Sequence, residues 1–139
     1  MIKKILYIFI ALSLFNNLFA KSEHFKKGID LYNENKFEDA KFKFEQDIVF
    51  NPKSEISYLY LSKIFNKQDK KNLEEKNLKT VILLNPLNED AIYSLAILKL
   101  RSSDYKKSRE LNKKLKAVCI KFCTKSNKLK IEIENLSKK

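Results

Sequence analysis

Among 139 residues there are one glycine, two prolines, two cysteines, one histidine and no tryptophan. A single glycine excludes a glycine-rich loop that cradles phosphate. Few glycines and prolines also exclude a fold rich in tight turns and hairpins, which depend on those residues. The lone histidine, His24, has no partner motif and reads as a surface residue at a helix start, not a catalytic base. No Ser/His/Asp arrangement stands in a recognisable context, so neither an enzyme activity nor a cofactor is expected. The acid pairs Glu74–Glu75 and Glu89–Asp90 read as solvated faces or helix-start charges. Arginine is scarce too: Arg101 and Arg109 stand against 27 lysines. Sequence-reading of nucleic acid favours arginine, whose planar fork makes bidentate contacts, so no specific nucleic-acid partner is expected.

What is present points to helices. Hydrophobic residues make up 44% of the chain, which excludes a disordered tail. Abundant Lys, Leu, Ile and Glu with few breakers predict an all-α protein. The formal charge is +12, a statement about solubility and non-specific binding. Lysine alongside many Asn and Ile is also what an AT-rich genome writes. A lysine-rich surface that binds anionic envelope polymers or lipid headgroups is the second functional reading.

Residues 1–20 read as a signal peptide. Lys3 and Lys4 precede an apolar run from Ile5 to Phe15, and the segment ends at Ala20. The run is shorter than the ~20 residues of a membrane-spanning helix. The expectation is an exported, periplasmic chain beginning at Lys21, with an uncleaved N-terminal membrane anchor as the alternative.

The two prolines stand in Asn51-Pro52 and Asn85-Pro86, 34 residues apart. A period of that size marks a solenoid. Steps of 34 from Lys21 give units 21–54, 55–88 and 89–122, followed by 123–139. In the first unit Phe25, Gly28, Ile29, Leu31 and Tyr32 make one helical stripe. Phe37, Ala40, Phe44, Ile48 and Val49 make another. The second unit offers Ile56, Leu59, Tyr60, Ile64 and Phe65, then Leu73, Leu78, Val81 and Ile82. The third offers Ala91, Ile92, Leu95, Ala96 and Leu98, then Tyr105, Leu111, Leu115 and Val118. The segments "NENK", "NKQDKK" and "RSSD" interrupt the stripes. Each Asn-Pro ends a helix, because proline disfavours the α conformation of the residue before it. Ser22, Ser54 and Asn88 fall at helix starts.

This pattern resembles the tetratricopeptide repeat (TPR) family, whose unit is a 34-residue helix–turn–helix. The matching positions are Gly28, Tyr32, Phe37, Ala40, Phe44 and Pro52; Tyr58, Leu61, Ser62, Leu78 and Pro86; and Ile92, Leu95, Ala96, Tyr105 and Ser108. Two residues depart from it: Glu74 replaces a small residue, and Asp47 stands where alanine is usual. The resemblance implies an α-solenoid of three repeats with a C-terminal capping helix over 123–139. It also implies a protein-interaction module, with the fifth, ninth and twelfth positions of each unit on a concave face. Those positions are Phe25, Ile29 and Tyr32; Leu59, Lys63 and Asn66; Tyr93, Ile97 and Leu100. Some members hold a carboxylate with Lys and Asn at fifth and ninth positions. Phe25, Ile29, Tyr93 and Ile97 argue against that use here, and favour an amphipathic helix or extended apolar peptide as partner. The alternative is that the nine side chains pack on each other or on the terminal helix.

A third Asn-Pro would fall at Cys119-Ile120, where a stretch flanked by Cys119 and Cys123 stands instead. Two cysteines in an exported chain suggest a structural disulfide. It is easier to form if residues 120–122 are a turn, with Thr124 or Ser126 capping a last helix that uses Leu129, Ile131, Ile133 and Leu136. Two free thiols or a reactive pair are the alternatives; the spacing is not CxxC, and no further cysteine completes a zinc site.

Overall fold

The computed structural model describes residues 22–138, and the expected signal segment lies outside them. The described residues form seven helices and no strand. They are α1 (Glu23–Asn33), α2 (Phe37–Phe50), α3 (Glu55–Lys67), α4 (Lys71–Leu84), α5 (Glu89–Arg101), α6 (Tyr105–Val118) and α7 (Cys123–Leu136). Consecutive helices pack on each other as antiparallel hairpins: α1 with α2, α3 with α4, α5 with α6, and α7 on α6 and α5. The architecture is an all-α solenoid of helix–turn–helix repeats. No helix among the described residues is long and apolar enough to cross a membrane.

The turns inside the hairpins repeat as closely as the prolines do. Asn35, Asp69 and Ser103 adopt left-handed φ values of 61°, 52° and 60°, again 34 residues apart. Around each, two backbone bonds close the preceding helix. Asn35 N–H donates to Tyr32 C=O and Lys36 N–H to Leu31 C=O. Asp69 and Lys70 do the same with Asn66 and Phe65, and Ser103 and Asp104 with Leu100 and Lys99. This is the Schellman closure, which satisfies orphan helix carbonyls and usually employs glycine. Asn and Asp tolerate the conformation because their short polar side chains bond locally.

Close approach of paired helices explains the small residues. A Cβ added at Gly28 would lie 2.8 Å from Phe44 Cε1, so the Phe44 ring occupies the space a side chain would need. Ala40, Ala96 and Ser108 are fully buried in the corresponding contacts. Phe44 then stacks on Tyr60 and tilts against Phe25, joining the first hairpin to the second. A second cluster of Leu78, Val81, Leu95, Leu98 and Leu100 runs into Leu129 and Ile133 of α7. The last helix therefore covers the open apolar end of the solenoid, as a terminal cap must.

The two departures from the repeat pattern are buried polar links. Asp47 is 1% exposed and accepts bonds from the hydroxyls of Ser22 and Ser57. Glu74 is 3% exposed and accepts from Asn66 Nδ2 at 2.7 Å and from Arg101. Each ties its helix to its neighbours, because a buried carboxylate must be hydrogen-bonded. Glu74 is thus not part of a solvated acidic pair.

Several helix-level expectations need correction. Val49, Leu73 and Ile131 are exposed, because each faces away from its neighbouring helix. Ser22 and Asn88 cap α1 and α5 through Phe25 N–H and Ala91 N–H. Ser54 stands before α3 but donates to Ser57 Oγ and makes no capping bond. Thr124 and Ser126 do not cap α7, which begins at Cys123 with Phe122 before it. Ser126 instead faces inward and exchanges bonds with buried Asn112.

Candidate functional site

The first helices of the three hairpins, α1, α3 and α5, together with Glu74 of α4, line a pocket of about 270 Å³. Its lining includes Tyr32, Lys63, Asn66, Tyr93 and Ile97. Five of the nine residues expected on the concave face therefore meet at one place. They come from three successive repeats, because positions 34 apart share a face.

The other four do not meet there. Phe25, Leu59 and Leu100 are buried at 7%, 9% and 5% exposure. Phe25 and Leu59 are covered by packing against the next repeat, and Leu100 joins the cluster that the cap helix completes. Ile29 is half-buried against the N-terminal cluster. For Phe25, Leu59 and Leu100, the packed alternative is the one the fold adopts.

The pocket combines aromatic and charged side chains. Tyr32 packs edge-on against Phe37 and Tyr60. Burial raises the Tyr32 phenol above its ordinary value, although the Lys63 charge acts the other way. The phenol is thus a neutral donor at pH 7. Lys63 Nζ is 2.6 Å from Asp90 and 5.6 Å above the Tyr60 ring. Glu74, held by Asn66 and Arg101, supplies a fixed negative group. Ser62, Lys67, Glu74 and Ser94 line the pocket as well, and the sequence reading placed none of them on the concave face. Ser62, Lys67 and Ser94 each adjoin an expected concave-face residue in the sequence, whereas Glu74 comes from the neighbouring helix α4.

Tyr93 of the pocket meets Phe122 of the cysteine-flanked turn. Cys119 and Cys123 are joined by a disulfide with Cα atoms 5.3 Å apart. The intervening residues leave the helix, which lets the two side chains converge. The Glu89 carboxylate accepts N–H bonds from Lys121 at 3.0 Å and Phe122 at 2.7 Å. Desolvation pushes the Glu89 carboxyl up, but the N–H groups of Phe122, Ile120 and Lys121 together bring it below the ordinary range. Phe122, so placed, meets the Tyr93 ring edge-on at 5.6 Å, and Lys125 lies 3.9 Å above Phe122. His24 stacks on Phe50 at 5.5 Å, away from this pocket. Among the described residues no cluster of three His, Cys, Asp or Glu could hold a metal ion.

No protein-family model matches the chain, and no curated protein does. Solved structures do resemble it. The TPR2B domain of yeast Sti1, from a complex with an Hsp70 peptide, superposes with a TM-score of 0.76 at 12% identity, covering 82% of this chain and 95% of that one. The Yersinia enterocolitica type III secretion chaperone SycD, with a peptide of the translocator YopD, gives 0.74 at 14% identity, covering 84% and 93%. The first TPR domain of Spaghetti, bound to an HSP90 peptide, gives 0.73 at 11% identity, covering 82% and 90%. The chain has the tetratricopeptide-repeat fold.

Proposed function

We propose that the chain is a non-enzymatic interaction module that binds a partner segment on its concave face. The observation that carries this reading is the convergence of Tyr32, Lys63, Asn66, Tyr93 and Ile97, from three repeats, around one open pocket. Three solved structures of the same fold are complexes with peptides of Hsp70, YopD and HSP90, which supports a peptide-sized occupant here. The occupant differs from a carboxylate tail, since Lys63 is already paired with Asp90 and the flanking ninth positions are Ile29 and Ile97. An amphipathic helix or extended apolar segment fits the aromatic walls better. The basic, apolar N-terminal segment supports export, and we place the module in the bacterial periplasm or cell envelope.

A photoreactive residue at Ile97 tests the binding face in cells. A discrete adduct from Ile97, absent from the same probe at exposed Lys106, is expected. Equal adducts from both positions overturn the assignment of the face. Fusion of alkaline phosphatase after Lys138 tests the compartment: an active fusion supports export, and an inactive one contradicts it.

A further inference from the structure

The positive charge of this chain is not spread along the solenoid. Residues 22–104 contain 14 basic and 14 acidic side chains and are neutral in sum. Residues 105–138, which make up α6, α7 and their turn, contain 11 basic and three acidic side chains, a net +8. A genome-wide lysine bias does not explain that division, because it would load every repeat alike.

Part of this charge surrounds a cleft. Between α6 and α7 lies a hollow of about 300 Å³ lined by Arg109, Lys113, Lys116, Lys130, Ile133 and Glu134. Arg109, Lys113 and Lys116 follow at i, i+4 and i+7, which places them on one face of α6. Lys130 faces them from α7. All four cations are exposed, whereas Ile133 is 1% exposed and forms an apolar floor. Glu134 is the one acid in the lining and sits 3.8 Å from Lys130. Among the described residues Arg109 donates to the Ser137 hydroxyl, at 3.4 Å. The rim thus keeps a net charge of three with no acid opposite Lys113 or Lys116. At the end of the same hairpin, Ile120 is 87% exposed, next to Lys121.

We propose that the α6–α7 hairpin is a second binding site, separate from the concave pocket, that seats on a membrane surface rich in anionic phospholipid. The cationic rim takes headgroup phosphates, and the exposed Ile120 enters the interface. Ten of the 11 basic residues are lysines, strongly hydrated point charges suited to a diffuse anionic surface. Clustered lysines are drawn to such a surface within a Debye length. A soluble polyanion would satisfy the lysines but leave Ile120 without an apolar partner. Seated in this way, the cap end meets the membrane while the concave pocket, on other helices, stays open.

Flotation of the full chain with vesicles tests the site. The probes are phosphatidylcholine vesicles and the same vesicles containing about a third phosphatidylglycerol. The anionic vesicles should bind about tenfold more tightly or better, with the difference shrinking in high salt. Neutral vesicles report any contribution of the apolar N-terminal segment. Arg109→Gln, Lys113→Gln, Lys116→Gln and Lys130→Gln together should remove the charge-dependent binding. A matched variant, Lys26→Gln, Lys53→Gln, Lys70→Gln and Lys76→Gln, removes the same charge from exposed positions elsewhere and should retain it. Equal loss in the two variants, or no preference for anionic vesicles, overturns the proposal. Hydrogen exchange on the unmodified chain gives a reading that needs no variant. Vesicle-dependent protection should fall on residues 105–130, and protection confined to α1–α4 contradicts the site. Tighter binding to soluble polyphosphate than to the vesicles also overturns it.

Discussion

Arg101 Nη2 lies 3.1 Å from both carboxylate oxygens of Glu74, joining α5 to α4 across a repeat boundary. The Glu74 side chain is 4% exposed and that of Arg101 is 42% exposed. The pair is therefore half solvated, and its worth lies in satisfying a buried carboxylate more than in Coulomb attraction. Arg101→Ala leaves Glu74 with Asn66 alone and should cost about 1–3 kcal/mol. Glu74→Ala restores the small residue of the repeat pattern. In the Arg101→Ala background it should recover part of that loss, because the uncompensated charge is gone. Urea unfolding of the two single variants and the double variant checks this; additive losses would contradict the coupling.

Gly28 faces the Phe44 ring so closely that a methyl group cannot be added without moving it. Alanine favours a helix over glycine by about 1 kcal/mol. Overpacking a filled core costs about 1–3 kcal/mol. The Phe44 ring is fully buried and stacked on Tyr60, so it has little room to yield. Gly28→Ala should therefore destabilise despite its better propensity. A thermal midpoint at or above that of the parent chain would show that the ring relaxes freely.

Ser103 holds a left-handed backbone without the local bonding advantage of Asn35 and Asp69. A left-handed residue other than glycine costs about 1–2 kcal/mol. Glycine at that position loses some backbone entropy, about 0.5–1 kcal/mol. Ser103→Gly should stabilise by several tenths of a kcal/mol. Asn35→Gly should gain less. Chemical denaturation of both variants tests the order.

Glu75 carries an acid dependence. Its hydrogen bonds to Lys79 and then Lys99 hold its carboxyl below the ordinary range, against desolvation. A lowered native pKa means the unfolded chain takes up protons first as pH falls. The stability from Glu75 is complete above the unfolded carboxylate value of about 4.3 and is lost as pH drops through the lower native one. Glu75→Gln should flatten the fall of the urea midpoint below about pH 4.3 and leave it parallel to the parent above. An unchanged acid slope would remove Glu75 from that role.

Much of the fold was legible because the repeat writes itself in residues of extreme behaviour. Pro52 and Pro86 end helices, and Gly28 and Ala40 mark close approach. The turns at Asn35, Asp69 and Ser103 were not legible as a set, since their shared property is a dihedral angle and their side chains differ. Asp47 and Glu74 read as departures because one-dimensional patterns cannot show that Ser22, Ser57 and Arg101 converge on them. Five of the nine side chains expected on the concave face line one pocket, and three of the others are buried. Whether a fifth-position side chain is covered depends on its neighbour: Phe25 and Leu59 are buried, while Tyr93 lines the pocket. Leu100 lies in the cluster that also holds Leu129 and Ile133 of α7.

The concave pocket is the centre of the functional reading, and a peptide selection tests it most directly. Displayed peptides are selected on the full chain and then measured on Ile97→Glu and on Lys106→Glu. Ile97 lines the pocket, and Lys106 is exposed on α6 outside it. Peptides that bind the parent and the Lys106→Glu variant alike, and lose about tenfold or more on Ile97→Glu, are the predicted result. Selected peptides that bind Ile97→Glu as tightly as the parent chain would contradict it.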